Sequence, residues 1–368
     1  VKELTMSGPC FGVEEEFLLI DPATGRPASC SGEVAGNAAR RGVDLQLEFT
    51  TSQVETATGK SHTSGQLRKE ISQLRAAAAD SARAAGALLL AVGLPPSLGD
   101  PLPVTDKQRY RRMVEDLGMI TEERGYCGCH VHVEVPNRDA AIAVSNWLRP
   151  WLPTMLALTA NSAIYRDTDT RHASWRYMLW TRWPSAGPPP HFPSVSDYDR
   201  AVATLLASGA IADDGMIYWY VRPSVRFPTV EVRVADVPAT AAETVLYATL
   251  VRAAVLTALA AHERGEQAPA VPDHVVAAAC WKAAHDGIGG QLIDIMGSGQ
   301  PVPAAAAVEQ WLGWLRPALL SLGDAEWVCP ELRRLLHDGN GALRQQGLWR
   351  RGGRVWDLVA ASAADTLR

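Results

Sequence analysis

Four short stretches of this chain interleave ionisable and apolar side chains at a spacing of two, which constrains the fold more than any other feature. They are Gly12-Val13-Glu14-Glu15-Glu16-Phe17, the run from Glu48 to Glu55, Gly128-Cys129-His130-Val131-His132-Val133-Glu134, and Thr229-Val230-Glu231-Val232-Arg233-Val234. On a strand, alternate side chains share a face. Glu14 and Glu16 are therefore expected to point one way, and Val13, Glu15 and Phe17 the other. His130, His132 and Glu134 repeat the arrangement, as do Glu231 and Arg233. A strand face crowded with carboxylates needs positive charge to offset it. Oxygen-rich sites of that kind suit magnesium or manganese, and bound metal in turn suits a nucleotide phosphate.

The 368 residues suffice for one large domain or two ordinary ones, and with 47% hydrophobic and 20% charged residues the chain has the profile of a globular protein with a sizeable core. A net charge of −5 gives no reason to expect a nucleic-acid or membrane-surface partner. The six cysteines (Cys10, Cys30, Cys127, Cys129, Cys280, Cys329) lack a disulfide-scaffold spacing. With no signal-like N-terminus and no run near the ~20 apolar residues of a membrane span, free thiols in a cytoplasmic setting are expected. Cys127-Gly128-Cys129 beside His130 suggests zinc only weakly, because a second cysteine pair is missing.

Residues 10–20, 45–57, 88–94 and 126–135 read as strands, and 216–222 with 229–236 as a hairpin. Residues 64–86 and 106–123 read as helices, as does 136–163 with a bend near Pro150 and Pro153. The segment 165–195, rich in Trp, Arg and Pro, reads as an irregular functional loop. From 240 onward the pattern is helical: 241–263, 273–286, 304–321, 331–338 and 354–367. Gly287-Ile288-Gly289-Gly290 and Gly297-Ser298-Gly299 lack the Lys-Ser/Thr of a phosphate loop and read as turns. Strands first and helices late, without βαβ alternation, favour an α+β fold. A largely antiparallel sheet would be covered by helices on one face and open for a site on the other. One domain over 1–368 is expected, with the site-bearing sheet in 10–240 and a mainly helical part in 241–368.

Each candidate residue has a bland alternative. Glu14-Glu15-Glu16 could be a solvated strand, but Phe11, Val13, Phe17, Leu18, Leu19 and Ile20 mark a core segment, where unpaired acids are expensive. Glu48 and Glu55 are seven residues apart, so strict alternation separates them and a bulge or bend is needed to bring both to one site. Gln53 shares the parity of Glu55 and is a candidate for substrate or metal-shell contact. His130 and His132 on one face are hard to read as packing alone, although H-x-H on a strand also occurs in metal hydrolases. Glu231 beside Arg233 is either an internal ion pair or a metal ligand beside a phosphate-binding fork. Arg171 and Arg176, with Trp180, Arg182 and Trp183, are candidates to clamp a carboxylate-bearing substrate, and Arg222 to do similar work.

Taken in order, the Gly12–Phe17, Gly128–Val133, Thr170–Arg176, Trp219–Ser224 and Thr229–Asp236 motifs resemble the type 2 glutamate–cysteine ligases, also called YbdK-like carboxylate–amine ligases. The resemblance runs from residue 11 to about 240, and the helical tail fits it. It implies a glutamine-synthetase-like catalytic fold, with a curved antiparallel sheet backed by helices. It also implies ATP, magnesium or manganese, and small amino-acid substrates. ATP would phosphorylate a carboxylate, typically the γ-carboxyl of glutamate, and an amine would attack the acyl phosphate. Carried over motif by motif, the metal ligands would be Glu14, Glu16, Glu48, Glu55, His130 and Glu231. Arg233 would act on the transferring phosphate and, with Glu55, form the catalytic pair. Gln53, His132, Glu134, Arg171, Arg176 and Arg222 would face substrate or phosphate.

Two positions depart from the family pattern, since Glu134 and Arg171 stand where glycine is common. Charged side chains there would narrow and recharge the substrate side, so Glu134 or Arg171 is expected to pair with a charged group of the substrate, with cysteine or another small amino acid as the amine acceptor. Two other classes compete: a metal-dependent hydrolase using His130 and His132, which would turn over without nucleotide, and a non-catalytic amino-acid or nucleotide sensor. The tryptophans of the tail (Trp281, Trp311, Trp314, Trp327, Trp349, Trp356) suit helix packing better than a homodimer face.

Overall fold

A computed structural model describes residues 8–99 and 101–368. Its main sheet contains β1 (Phe11–Ile20), β2 (Gln46–Leu47), β3 (Gln53–Ala57), β4 (Leu88–Leu90) and β5 (Gly128–Glu134). A separate pair, β6 (Ile164–Tyr165) and β7 (Thr168–Asp169), precedes the last two strands of the main sheet, β8 (Val221–Pro223) and β9 (Thr229–Asp236). The strand order is β2-β3-β1-β5-β9-β8, with β4 against the far end of β1. All of these pairings are antiparallel, as expected from the sequence.

Helices α1 (Ser31–Ala39), α2 (Ser64–Ala84), α3 (Gln108–Leu117), α4 (Arg138–Leu148), α5 (Leu152–Thr159), α6 (Trp175–Trp180) and α7 (Val195–Ala207) fall between the strands. The tail adds α8 (Ala241–Glu263), α9 (Asp273–Asp286), α10 (Ala304–Leu322), α11 (Ala325–Asp338), α12 (Gly341–Arg350) and α13 (Val355–Thr366). Proline at 150 and 153 does what the sequence suggests: α4 gives way to a 3-10 turn, Arg149–Trp151, before α5 resumes.

The apolar parity of the strands builds the core. Val13, Val131, Val133, Val230 and Val232 are buried in one cluster with Val144 and Leu148 of α4, Leu152 and Leu156 of α5, and Val245 and Val251 of α8. The same cluster reaches Trp311 and Leu315 of α10, so the tail shares its core with the sheet. Among the described residues α8 alone is long and apolar enough on average to cross a membrane, although Glu243 and Arg252 interrupt its apolar run. Here 83% of its apolar window is buried inside the fold, where it supports the sheet.

Local expectations failed where tertiary contacts override pattern. Residues 45–57 are two strands of a hairpin, β2 and β3, and the chain reverses between Glu48 and Ser52. The segment 165–195 contains β6–β7 and α6 in addition to loop. Helix α7 was missed although Ser194 caps it by accepting from the Asp197 amide at 3.2 Å. Helix α1, with two glycines and an asparagine, has little intrinsic helix preference and is held by its buried Val34 and Ala38. Helix α12 also escaped the pattern, and so did a small hairpin of Gln291–Ile293 with Pro301–Pro303, which places Gly297-Ser298-Gly299 in its turn.

Candidate active site

The sheet face turned away from the helices forms the floor of a cavity of about 910 Å³. Cross-strand register assembles this floor. Glu16 on β1 stands opposite Glu55 on β3, and Glu14 opposite His130 on β5. His132 stands opposite Glu231 on β9, which in turn stands opposite Arg222 on β8. The reversal after β2 brings Glu48 to the same cavity as Glu55, which meets the need for a bend without a bulge in one continuous strand.

A bulge does occur, between β5 and β9 at His130: Cys129 faces Ala235, whereas Val131 faces Val232. The extra β9 residue switches its parity. Asp236 consequently pairs with Gly128 and joins Glu231 and Arg233 on the cavity side, although simple alternation assigns it to the opposite face. Asp236 was missed for this reason.

Two groups of side chains place ligand atoms within 4.8 Å of one another: Glu14, His132 and Glu231, and Glu14, Glu55 and His130. Glu14 belongs to both. His130 Nδ1 is 3.3 Å from Glu14, and His132 Nε2 is 3.5 Å from Glu14 and 3.9 Å from Glu231. His132 Nδ1 is fixed by Thr229 Oγ1 at 3.0 Å, while its buried Nε2 has no hydrogen-bond partner among the described residues. An orphaned ring nitrogen between carboxylates fits a divalent cation, and the oxygen-rich donor set suits a hard ion. His132, expected among the substrate-facing residues, thus falls in one of the two groups that could hold a cation.

Electrostatics divides the floor. On the β9 side, burial raises the Glu231 carboxyl, but Arg233 and Arg222 outweigh it and hold the acid well below the usual carboxylate range. Arg222 Nε donates to Glu231 at 2.9 Å, and Arg233 contacts the other carboxylate oxygen. Part of Arg222, expected to grip substrate, is therefore spent on Glu231. On the β3 side burial outweighs the nearby cations, Arg176 for Glu16, Lys107 and Arg233 for Glu48, and Arg233 for Glu55. Burial pushes up Glu16 and Glu48, and Glu55 is raised furthest, by burial and then by the charges of Glu48, Glu14 and Glu16. His130 is lowered by burial and then by Arg233, which favours the neutral, ligand-competent ring. Glu16 and Glu48 line the cavity but lie outside both ligand groups.

Other expected residues scatter. Gln53 is buried in the lining and held by Thr50 Oγ1 at 2.8 Å and the Tyr126 carbonyl at 2.6 Å. Arg176 lines the cavity and is nearly buried. Glu134 sits past His132 and accepts from Cys10 Sγ at 3.1 Å, outside the lining. Arg171 is exposed on a left-handed turn with φ 59°, also outside the lining. Arg182 is taken up by Glu123 at 2.7 Å. Neither Glu134 nor Arg171 is thus brought to the cavity lining, where the expected pairing with a charged substrate group would form. Sequence reading missed Lys107, Arg109 and Tyr110, which bring one end of α3 to the cavity, and Tyr218 beside Trp180 and Trp183. The short amphipathic α3 carried no motif that would have singled them out.

An antiparallel sheet backed by helices thus carries a floor of acids and histidines in two ligand groups. The model of the glutamate–cysteine ligase family 2 matches residues 10–361, and the chain belongs to that family and with it to the ATP-dependent carboxylate–amine ligases. Among its relatives is a Mycolicibacterium smegmatis protein named "Putative glutamate--cysteine ligase 2-3", 55% identical over 98% of this chain and 99% of its own. A Nocardia farcinica relative named as ligase 2-1 of the same kind is 51% identical over 98% of this chain and 94% of its own. In fold, the chain is similar to a bifunctional glutathione synthetase from Pasteurella multocida. The TM-score is 0.74 and the identity 14%, over 99% of this chain and 53% of that one, so the chain spans about half that enzyme. It is also similar to a glutamate–cysteine ligase from Francisella tularensis solved with AMP (TM-score 0.64, 13% identity, 98% and 89% coverage).

Proposed function

We propose that this chain uses ATP and magnesium to join the carboxylate of an amino acid, L-glutamate first among the candidates, to the amine of a small amino acid through an acyl phosphate. The observation that carries this is the pair of ligand groups sharing Glu14 beside Arg233, on a floor with more carboxylates than the protein neutralises. Glu14, Glu55, His130, His132 and Glu231 would hold the divalent ions, with Glu16 and Glu48 nearby. Bound there, the metal would screen the anionic phosphates from the carboxylate that attacks them.

The chain's own groups divide the remaining work. Arg233 is partly buried; burial works against its charge, but Glu231, Glu16 and Glu14 outweigh it, so it stays a fixed cation for the transferring phosphoryl group. Arg222 and Arg233 keep Glu231 ionised. Neutral His130 presents a nitrogen lone pair instead of a competing positive charge. Glu55, opposite Glu16, adds charge that favours a cation only when ionised. Trp180, Trp183 and Tyr218 wall the cavity and restrict water around the acyl phosphate, which would otherwise hydrolyse.

The test is ATP turnover with magnesium and L-glutamate across a panel of amino acids, with products weighed by mass spectrometry. ADP, phosphate and a mass equal to glutamate plus amino acid minus water are expected. Substrate hydrolysis without nucleotide would sink the ligase reading in favour of a metal hydrolase, and binding without turnover would point to a sensor.

A further inference from the structure

We propose that Asp236 is a positioning residue that sets Arg176 as the carboxylate-binding group of the cavity, across a floor kept clear by Gly128. The inference rests on the ligase reading and assigns a subsite within it.

Asp236 is wholly buried at the end of β9. Its Oδ2 accepts from the Asn161 amide at 2.8 Å and from Ser162 Oγ at 2.7 Å, and its Oδ1 from Ser174 Oγ at 2.9 Å. One carboxylate thus ties together β9, the chain leaving α5 and the cap of α6. Arg176 is keyed to the same network twice. Its backbone amide donates to Ser162 Oγ at 3.0 Å, and its Nη1 lies 3.6 Å from Asp236 Oδ1. At that separation Asp236 attracts the guanidinium while its own oxygens are occupied by other donors, so the fork is oriented without being saturated.

Arg176 is 4% exposed, lines the cavity, and its buried Nε has no hydrogen-bond partner among the described residues. A buried guanidinium with unmet donors is costly unless an anion completes it. Its planar fork matches a carboxylate. Trp180 lies 5.8 Å beneath Arg176 Cζ and 5.3 Å from Tyr126, an aromatic setting suited to the carbon chain of an acid. Phosphate is instead provided for by Arg233 and the ligand groups around Glu14.

Gly128 explains how the guanidinium lies where it does. A Cβ there would stand 2.4 Å from Arg176 Nη2, and no positive φ requires glycine at this position. The glycine is therefore needed for space. Its amide donates to Glu16 at 2.6 Å, so the arginine crosses the floor beside the acidic patch.

Asp236→Asn, Gly128→Ala and Arg176→Lys test the assignment in the full chain. The readouts are KM for the donor acid, KM for ATP, Tm, and calorimetric binding of L-glutamate and other dicarboxylic amino acids without nucleotide. Each variant should raise donor KM and weaken acid binding about tenfold or more, while ATP KM stays within about twofold. Three variants acting on one contact from different elements keep the test decisive if one fails to fold. Lower Tm with unchanged donor KM and binding would mean a structural role and overturn the proposal. A selective rise in ATP KM would assign Arg176 to phosphate and also overturn it. Wild-type protein that binds an acid without turning over ATP defeats the ligase reading alone, and the binding arm then decides the subsite. Wild-type protein that binds no acid defeats the subsite.

Discussion

The two faces of β1 treat the same side chain in opposite ways. Glu15 points to the helices and is fully paired: Arg75 Nε and Nη2 donate to it at 3.1 and 2.6 Å, and Thr244 Oγ1 donates at 2.7 Å. Arg75 spends its remaining donors on the carbonyls of Pro238, Ala239 and Thr366, so nothing in that network invites a ligand. Glu14 and Glu16, one residue away on either side, face a cavity where Glu48 and Glu55 add further negative charge. A buried charge compensated by protein holds the fold together, whereas one left short of cations marks a place for something else.

Removing acids from the two faces should separate these roles. Glu55→Gln is expected to lower ATP turnover by about 10²–10³-fold, a loss typical of one electrostatic group at a reacting centre, with Tm unchanged or higher. Steady-state kinetics with a melting curve checks both halves, and a lower Tm with intact turnover would reverse the assignment. On the helix side, Arg75→Met should cost about 3–5 kcal/mol by stranding Glu15, and Glu15→Gln in the same chain should recover much of it. Urea denaturation of the two variants measures this.

Acidity sharpens the contrast. Burial raises Glu16, Glu48 and Glu55 above the ordinary carboxylate value of 4.5. The folded state then binds more protons than the unfolded one. Their contribution is fully present below the unfolded value and is lost as pH rises through the raised folded values. Magnesium should restore what deprotonation removes. The Tm gain on adding magnesium is therefore expected to grow from about pH 5 to about pH 8 and to be removed by a chelator. A gain that is flat with pH would dissociate the metal from these acids.

The smallest effects belong outside the cavity. Glu134→Gly and Arg171→Gly should leave substrate preference unchanged and kcat/KM within about twofold. For Arg171, relief of the left-handed backbone should roughly offset the added freedom of the unfolded chain, leaving stability within about 1 kcal/mol. A changed acceptor profile would show that these residues reach the substrate after all.

Much of the floor could be read from alternation alone, because period two on a half-buried strand puts Glu14, Glu16, His130, His132, Glu231 and Arg233 on one face without further information. The hairpin that joins Glu48 to Glu55 was legible only as a required bend. Asp236 was hidden by the β9 bulge, which moves a residue across the sheet and leaves no mark in apolar spacing. Lys107, Arg109 and Tyr110 depend on how α3 docks. Glu134 and Arg171 stand out because the family commonly has glycine there, but that pattern does not say where the side chains go: Glu134 accepts from Cys10, and Arg171 is exposed on its turn.

The most direct test follows oxygen. The donor acid, L-glutamate first, would be labelled with ¹⁸O in its carboxylates and turned over with ATP, magnesium and the active amine. One ¹⁸O atom in each phosphate released is the expected result, because the acyl phosphate hands its bridging oxygen to phosphate when the amine attacks. Phosphate free of label, with all ¹⁸O kept in the organic product or found in AMP, would contradict the acyl-phosphate route.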